Sequence, residues 1–103
     1  MALTTRQRAA LKARAHALEP LVTVGQAGAS DAVVAEVDRA LTAHGLIKVR
    51  LAAADRDARA ALKATLCNRT GADAVQQVGR VLVLWRPRPD DGESAKGEVR
   101  RSK

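Results

Sequence analysis

The chain predicts an α/β (α+β) sandwich in the order α-β-α-β-α-β-β, with three helices on a mixed four-stranded sheet. Three observations carry this. Two short strand-like runs, "LVTV" and "LIKVRL", are each followed by a helix-capping residue and an apolar stripe at helical spacing. Two further strand-like runs flank Gly79-Arg80, a two-residue turn suited to a hairpin. The length of 103 residues and the 47% hydrophobic content suit one domain with one modest core, since much of the apolar fraction is alanine.

The first helix opens with Thr4 and Gln7 in capping-box spacing and sets Leu11, Ala15 and Leu18 on one stripe, with Pro20 marking its end. "LVTV" at residues 21–24 is the first strand. After a glycine loop, Ser30 caps the second helix with Asp31 near its positive end. Val33, Val37, Ala40, Leu41 and His44 follow helical spacing, and Gly45 suits its stop. "LIKVRL" alternates, so Ile47, Val49 and Leu51 face one way and Leu46, Lys48 and Arg50 the other. Asp55 caps the third helix. Ala58, Leu62, Thr65, Leu66 and Arg69 lie along one side of it, and Gly71 ends it.

"DAVQQV" and "VLVLW" form the closing antiparallel hairpin. In "VLVLW" both faces are apolar, which predicts a central strand covered on both sides. Strands joined through helices are expected to run parallel by right-handed crossovers. Beyond Arg86 the sequence is rich in Pro, Gly and charge with almost nothing to bury. It predicts a folded domain over residues 1–87 and a disordered charged tail over 88–103.

Charge points towards a polyanion. Lys and Arg total 18 against 11 Asp and Glu, a net charge of +7. Neutralising phosphates releases condensed counterions, so such an excess favours nucleic acid. Arg6, Arg8, Lys12 and Arg14 precede the first acid, Glu19, which makes the first helix a candidate phosphate-facing surface. Trp85 is the only aromatic residue, which argues against base stacking on sheet aromatics. Contacts through backbone, shape and polar groups are expected instead.

Other function classes find little support. The single Cys67 allows no intrachain disulfide and reads as a buried thiol in a reducing compartment. There is no secretory pattern, and "VLVLW" is too short to span a bilayer, so a cytoplasmic protein without membrane contact is expected. His16, His44 and Cys67 fall on three helices with no short ligand spacing, which predicts no metal site. Asp55 and Asp57 fit the first turn of a helix, where acids are expected on dipole grounds. No enzyme and no cofactor are expected.

The loop Gly25-Gln26-Ala27-Gly28 stands directly before the second helix. Glycines leave backbone N–H groups unobstructed, and at a helix N-terminus these donors suit a phosphate. RNA-binding KH modules use a GXXG loop in this way. A strand-to-helix connection carrying two glycines for folding alone fits the sequence equally well.

Taken together, "LT" at Leu3-Thr4, "AHALEPLVTVGQAG" at residues 15–28, "HGLIKVRL" at 44–51 and "GRVLVLWRP" at 79–87 resemble a CRM (chloroplast RNA splicing and ribosome maturation) domain. More closely, the chain is similar to the stand-alone bacterial YhbY family of ribosome-associated RNA-binding proteins, over residues 3–87. The resemblance implies a fold related to the C-terminal domain of translation initiation factor 3. It also implies a partner in ribosomal RNA on large-subunit precursor particles, with the protein acting as an assembly factor. A monomer is expected. The family usually has a basic residue where this chain has Gln26, and an acid where it has Gly45. The loop keeps its backbone donors, so more of the binding is expected to fall to Arg6, Arg8, Lys12, Lys48 and Arg50. A protein adaptor with a basic face for solubility is the alternative. A DNA-reading helix is disfavoured by Glu36 and Asp38 on the second helix, against Arg39 alone.

Overall fold

The computed structural model of the chain describes residues 3–87. The expectation of a disordered tail concerns residues 88–103, which lie outside the described residues. The elements follow the predicted order: α1 (Thr5–Ala15), β1 (Pro20–Val24), α2 (Asp31–His44), β2 (Leu46–Leu51), α3 (Arg56–Thr70), β3 (Asp73–Val78) and β4 (Val81–Trp85).

Local chemistry starts each helix. Gln7 N donates to Thr4 Oγ1 at 3.0 Å and Thr4 N to Gln7 Oε1 at 2.9 Å, closing a capping box on α1. Ser30 Oγ accepts from Val33 N at 3.2 Å, and Asp55 Oδ2 from Ala58 N at 3.3 Å. Helix α1 is shorter than its apolar stripe implies. It stops at Ala15, and Leu18 N turns back onto Ala15 O at 2.9 Å, which still lets Leu18 pack. Pro20 therefore ends no helix. It opens β1, an edge strand whose register slips between Pro20 and Val22, where a missing N–H is tolerated.

The sheet order is β1-β2-β4-β3. β1 and β2 are parallel, and β4 runs antiparallel to both β2 and β3. β4 is central, as its two apolar faces require: Leu82, Val83 and Leu84 are all buried. Towards α2 and α3, the strand residues Ile47, Val49, Leu51, Leu82 and Leu84 meet Val37, Leu41 and Leu66. Each fully buried side chain there contributes about 1.5–3 kcal/mol. Val34 joins this core, which the spacing argument placed on Val33, whereas His44 stays exposed. Cys67 is half-buried against the same core, and burial, followed by the nearby Asp73 carboxylate, pushes its thiol pKa up.

The opposite face is thinner. Leu11 and Ala15 of α1 cover Leu46, Val75 and Val83, with Leu18 and Trp85 at the margin. Helix α1 does not reach across the sheet, so Lys48 is only half-buried and Arg50 is exposed on the same face.

This topology gathers three connections at one end. β1 and β2 are parallel and so finish together, and the β3–β4 turn lies beside them because β4 runs the other way. Two backbone hydrogen bonds tie the connections: Ala52 N donates to Val24 O at 2.9 Å, and Leu51 N to Arg80 O at 2.6 Å.

Candidate nucleic-acid interface

The glycine loop leaves β1 as a tight turn. Gly28 N donates to Gly25 O at 3.0 Å, which makes Gln26 and Ala27 the two central residues, both exposed. Gly28 has φ +79, a left-handed conformation that L side chains rarely adopt. Ser30 N returns to Gly28 O at 2.9 Å, and α2 begins at Asp31. Among the described residues, the N–H groups of Gln26 and Ala27 have no hydrogen-bond partner. These free donors stand next to the positive end of α2, an arrangement suited to an anion.

The two glycines differ in what the fold asks of them. A Cβ on Gly25 would meet nothing within 4 Å, and its φ lies outside the left-handed region. Folding of the turn requires glycine at position 28 and not at 25. A Cβ at Gly25 would project into open space at the mouth of the loop.

Beside the loop a cleft opens towards α3, lined by Gly25, Gly28, Ala52, Ala58, Leu62 and Thr65. Its far wall is the short β2–α3 connection. Arg59 Nη1 holds that wall by donating to Ala53 O at 3.0 Å and Ala54 O at 2.6 Å. Both carbonyls are thereby occupied.

Five of the six predicted basic residues, all but Arg8, fall into three places. Lys12 and Lys48 come together with His16 and Gln76 around a groove floored by Val81 and Val83, on the side of the sheet that α1 leaves open. Arg50 continues this face towards the loop, with Thr23 of β1 and Val81 of β4 beside it in register. Arg14 lines a different groove, with Leu18, Glu19, Leu21 and His44. Arg6 is exposed on the first turn of α1, near the Trp85 end of the sheet and away from the loop.

Arg8 has a structural task. Its Nη1 donates to Ala74 O at 2.7 Å and Val75 O at 2.8 Å. A register shift between Ala74 and Gln76 leaves those consecutive carbonyls of the edge strand in need of a donor. The guanidinium supplies it and fastens α1 to β3.

Sequence reasoning missed the place of His16 and Gln76 in the groove, and of Arg80 on the β3–β4 turn at the loop end of the sheet. Arg80 was foreseeable. An antiparallel closing hairpin must bring its turn to the end where the parallel strands finish.

Comparison with known proteins gives this arrangement a family. The CRS1 / YhbY (CRM) domain matches residues 3–86. A Pseudomonas aeruginosa protein named "Probable RNA-binding protein" is 43% identical over 89 residues, 86% of each chain. A Haemophilus influenzae protein named "RNA-binding protein" is 42% identical over 85 residues, 82% of this chain and 86% of its own. The solution structure of a hypothetical protein from Staphylococcus aureus aligns with a TM-score of 0.74 and 26% identity, covering 99% of this chain and 95% of that one. The match spans nearly every residue the structure describes, and this chain belongs to the CRS1 / YhbY (CRM) domain family.

Proposed function

We propose that the protein binds structured RNA, with ribosomal RNA of large-subunit precursors as its target and assembly of that subunit as its setting. It acts in the cytoplasm as a monomer, and not as an enzyme. The observation that carries this reading is the pair of unpartnered N–H groups at Gln26 and Ala27, presented before α2 and next to the exposed Arg50 face. Phosphates sit on the loop donors, while Lys12, Lys48 and Arg50 hold neighbouring backbone charge. The net charge of +7 supplies a long-range pull towards a polyanion. The names of the two bacterial relatives support RNA as that polyanion. No helix among the described residues is long and apolar enough to cross a membrane.

A stable docking surface for another protein is often marked by a contiguous apolar patch. Among the described residues, the exposed large apolar side chains, Leu21 and Val78, sit on β1 and β3 at opposite edges of the sheet, which favours the RNA reading. Titration of ribosomal RNA fragments at several salt concentrations tests it. The expected result is an affinity that falls steeply with salt, by tenfold or more over a fewfold change in concentration. Affinity that stays flat with salt contradicts the proposal.

A further inference from the structure

Three connections meet at the loop end of the sheet, and only the one containing residues 25–28 has been given a role. The β3–β4 turn is the tightest of them. Gly79 takes φ +58, and the Arg80 carbonyl accepts from Leu51 N at 2.6 Å, so the turn is pinned onto the end of β2. That bond uses the backbone alone. The Arg80 side chain is exposed and, among the described residues, makes no hydrogen bond or ion pair. A long cation is thus mounted on a fixed base with its charge unspent. Arg50 lies between it and the glycine loop, on the residue opposite Val81.

We propose that Arg80 is a second phosphate-binding residue, taking a backbone phosphate of the same RNA that the glycine loop holds. This rests on the RNA-binding reading above and extends its footprint across the end of the sheet. The loop follows β1, and the turn joins β4 to β3, two and a half strand spacings away. At about 4.8 Å per spacing the separation is roughly 12 Å. With the exposed Arg50 between them, the loop donors and Arg80 line the end of the sheet as a row of sites, which suits a length of RNA backbone better than a lone anion. Of the nearby acids, Asp55 caps α3 and lines the cleft on the other side of the loop, and Asp57 lies in the first turn of α3.

The test compares Arg80→Gln with Arg39→Gln, each of which removes one positive charge. Arg39 is exposed on α2, on the opposite side of the sheet. Both variants are expected to fold as the parent does, because neither side chain has a partner and the Arg80 carbonyl is kept. With ribosomal RNA fragments, Arg80→Gln is expected to weaken binding roughly fivefold and to lower the slope of log affinity against log salt by about one. Arg39→Gln is expected to change both far less, and Arg80→Lys to keep most of the affinity. Equal effects of Arg80→Gln and Arg39→Gln would mean that only overall charge matters, and would overturn the assignment. A parent protein with no salt-dependent binding would overturn the RNA reading itself, and the role of Arg80 with it.

Discussion

Arg86, just past the end of β4, meets Asp38 in the middle of α2 with Nη1 2.6 Å from Oδ1. The same guanidinium donates to Thr70 O at 2.6 Å, to Asp38 O at 3.1 Å and to Thr42 Oγ1 at 2.9 Å. One side chain therefore joins the central strand to both helices of the thicker layer. The carboxylate is half-exposed and contributes little alone, but the Thr70 carbonyl ends α3 without a helical donor and takes one arm of the planar fork.

Replacing Arg86 with alanine is expected to cost about 2–3 kcal/mol, because several acceptors lose their donor together. Asp38→Ala is expected to cost less than about 1 kcal/mol. Arg86→Lys is expected to resemble the alanine variant more than the parent, since a single ammonium cannot reach all four acceptors. Denaturant midpoints of the three variants check the order. Equal costs for Arg86→Ala and Asp38→Ala would show that the ion pair alone matters.

The two glycines of the loop should separate folding from binding. Gly28→Ala forces a side chain into a left-handed conformation and is expected to destabilise by about 1–2 kcal/mol. Gly25→Ala meets open space and is expected to leave stability unchanged or raise it slightly. Its added methyl stands in the path of an approaching phosphate, so RNA affinity is expected to fall. Thermal melting together with RNA titration reads both effects. A Gly25→Ala protein that binds as the parent does would place the phosphate elsewhere.

Cys67 predicts a pH dependence of stability. Its pKa is raised above the ordinary 9.0 by burial first and by Asp73 second. A group whose folded pKa is raised contributes stability in full below its unfolded pKa, and loses it as pH climbs through the folded pKa. The parent is therefore expected to lose stability relative to Cys67→Ala only above about pH 9, and to show no such trend between about pH 6 and pH 8. Alkylation of the thiol near pH 8 is expected to be slower in the folded chain than in denaturant. Equal rates would mean that the thiol is not shielded.

Much of the architecture could be read from the sequence because the deciding signals were local. The alternation of "LIKVRL", the caps at Thr4, Ser30 and Asp55, and the apolar faces of "VLVLW" each depend on neighbours within a few residues. What escaped depends on contacts distant in the chain. Arg8 sits in a basic stretch and looks free for phosphate, yet a register shift in β3, 66 residues away, claims its guanidinium. The family stretch containing Arg86 gives no hint that this residue bonds to α2 and α3. Arg80 looked like a turn residue until strand order placed its turn beside the glycine loop. The end of α1 was misjudged for a related reason, since Leu18 packs from a turn as well as it would from a helix.

The central claim is that residues 25–28 present free backbone donors to an RNA phosphate. Ala27→Asp tests it most directly. Position 27 is exposed and central in the turn, and an acid near a helix N-terminus is tolerated or mildly stabilising, so the variant should melt as the parent does. The same carboxylate would face the incoming phosphate and is expected to cost about 1 kcal/mol or more of binding, a fivefold or greater loss of affinity at fixed salt. The measurement pairs the melting temperature with affinity for a ribosomal RNA fragment. Unchanged melting with weakened binding is the predicted result. Unchanged melting with parental affinity would contradict the account and leave the loop a structural turn.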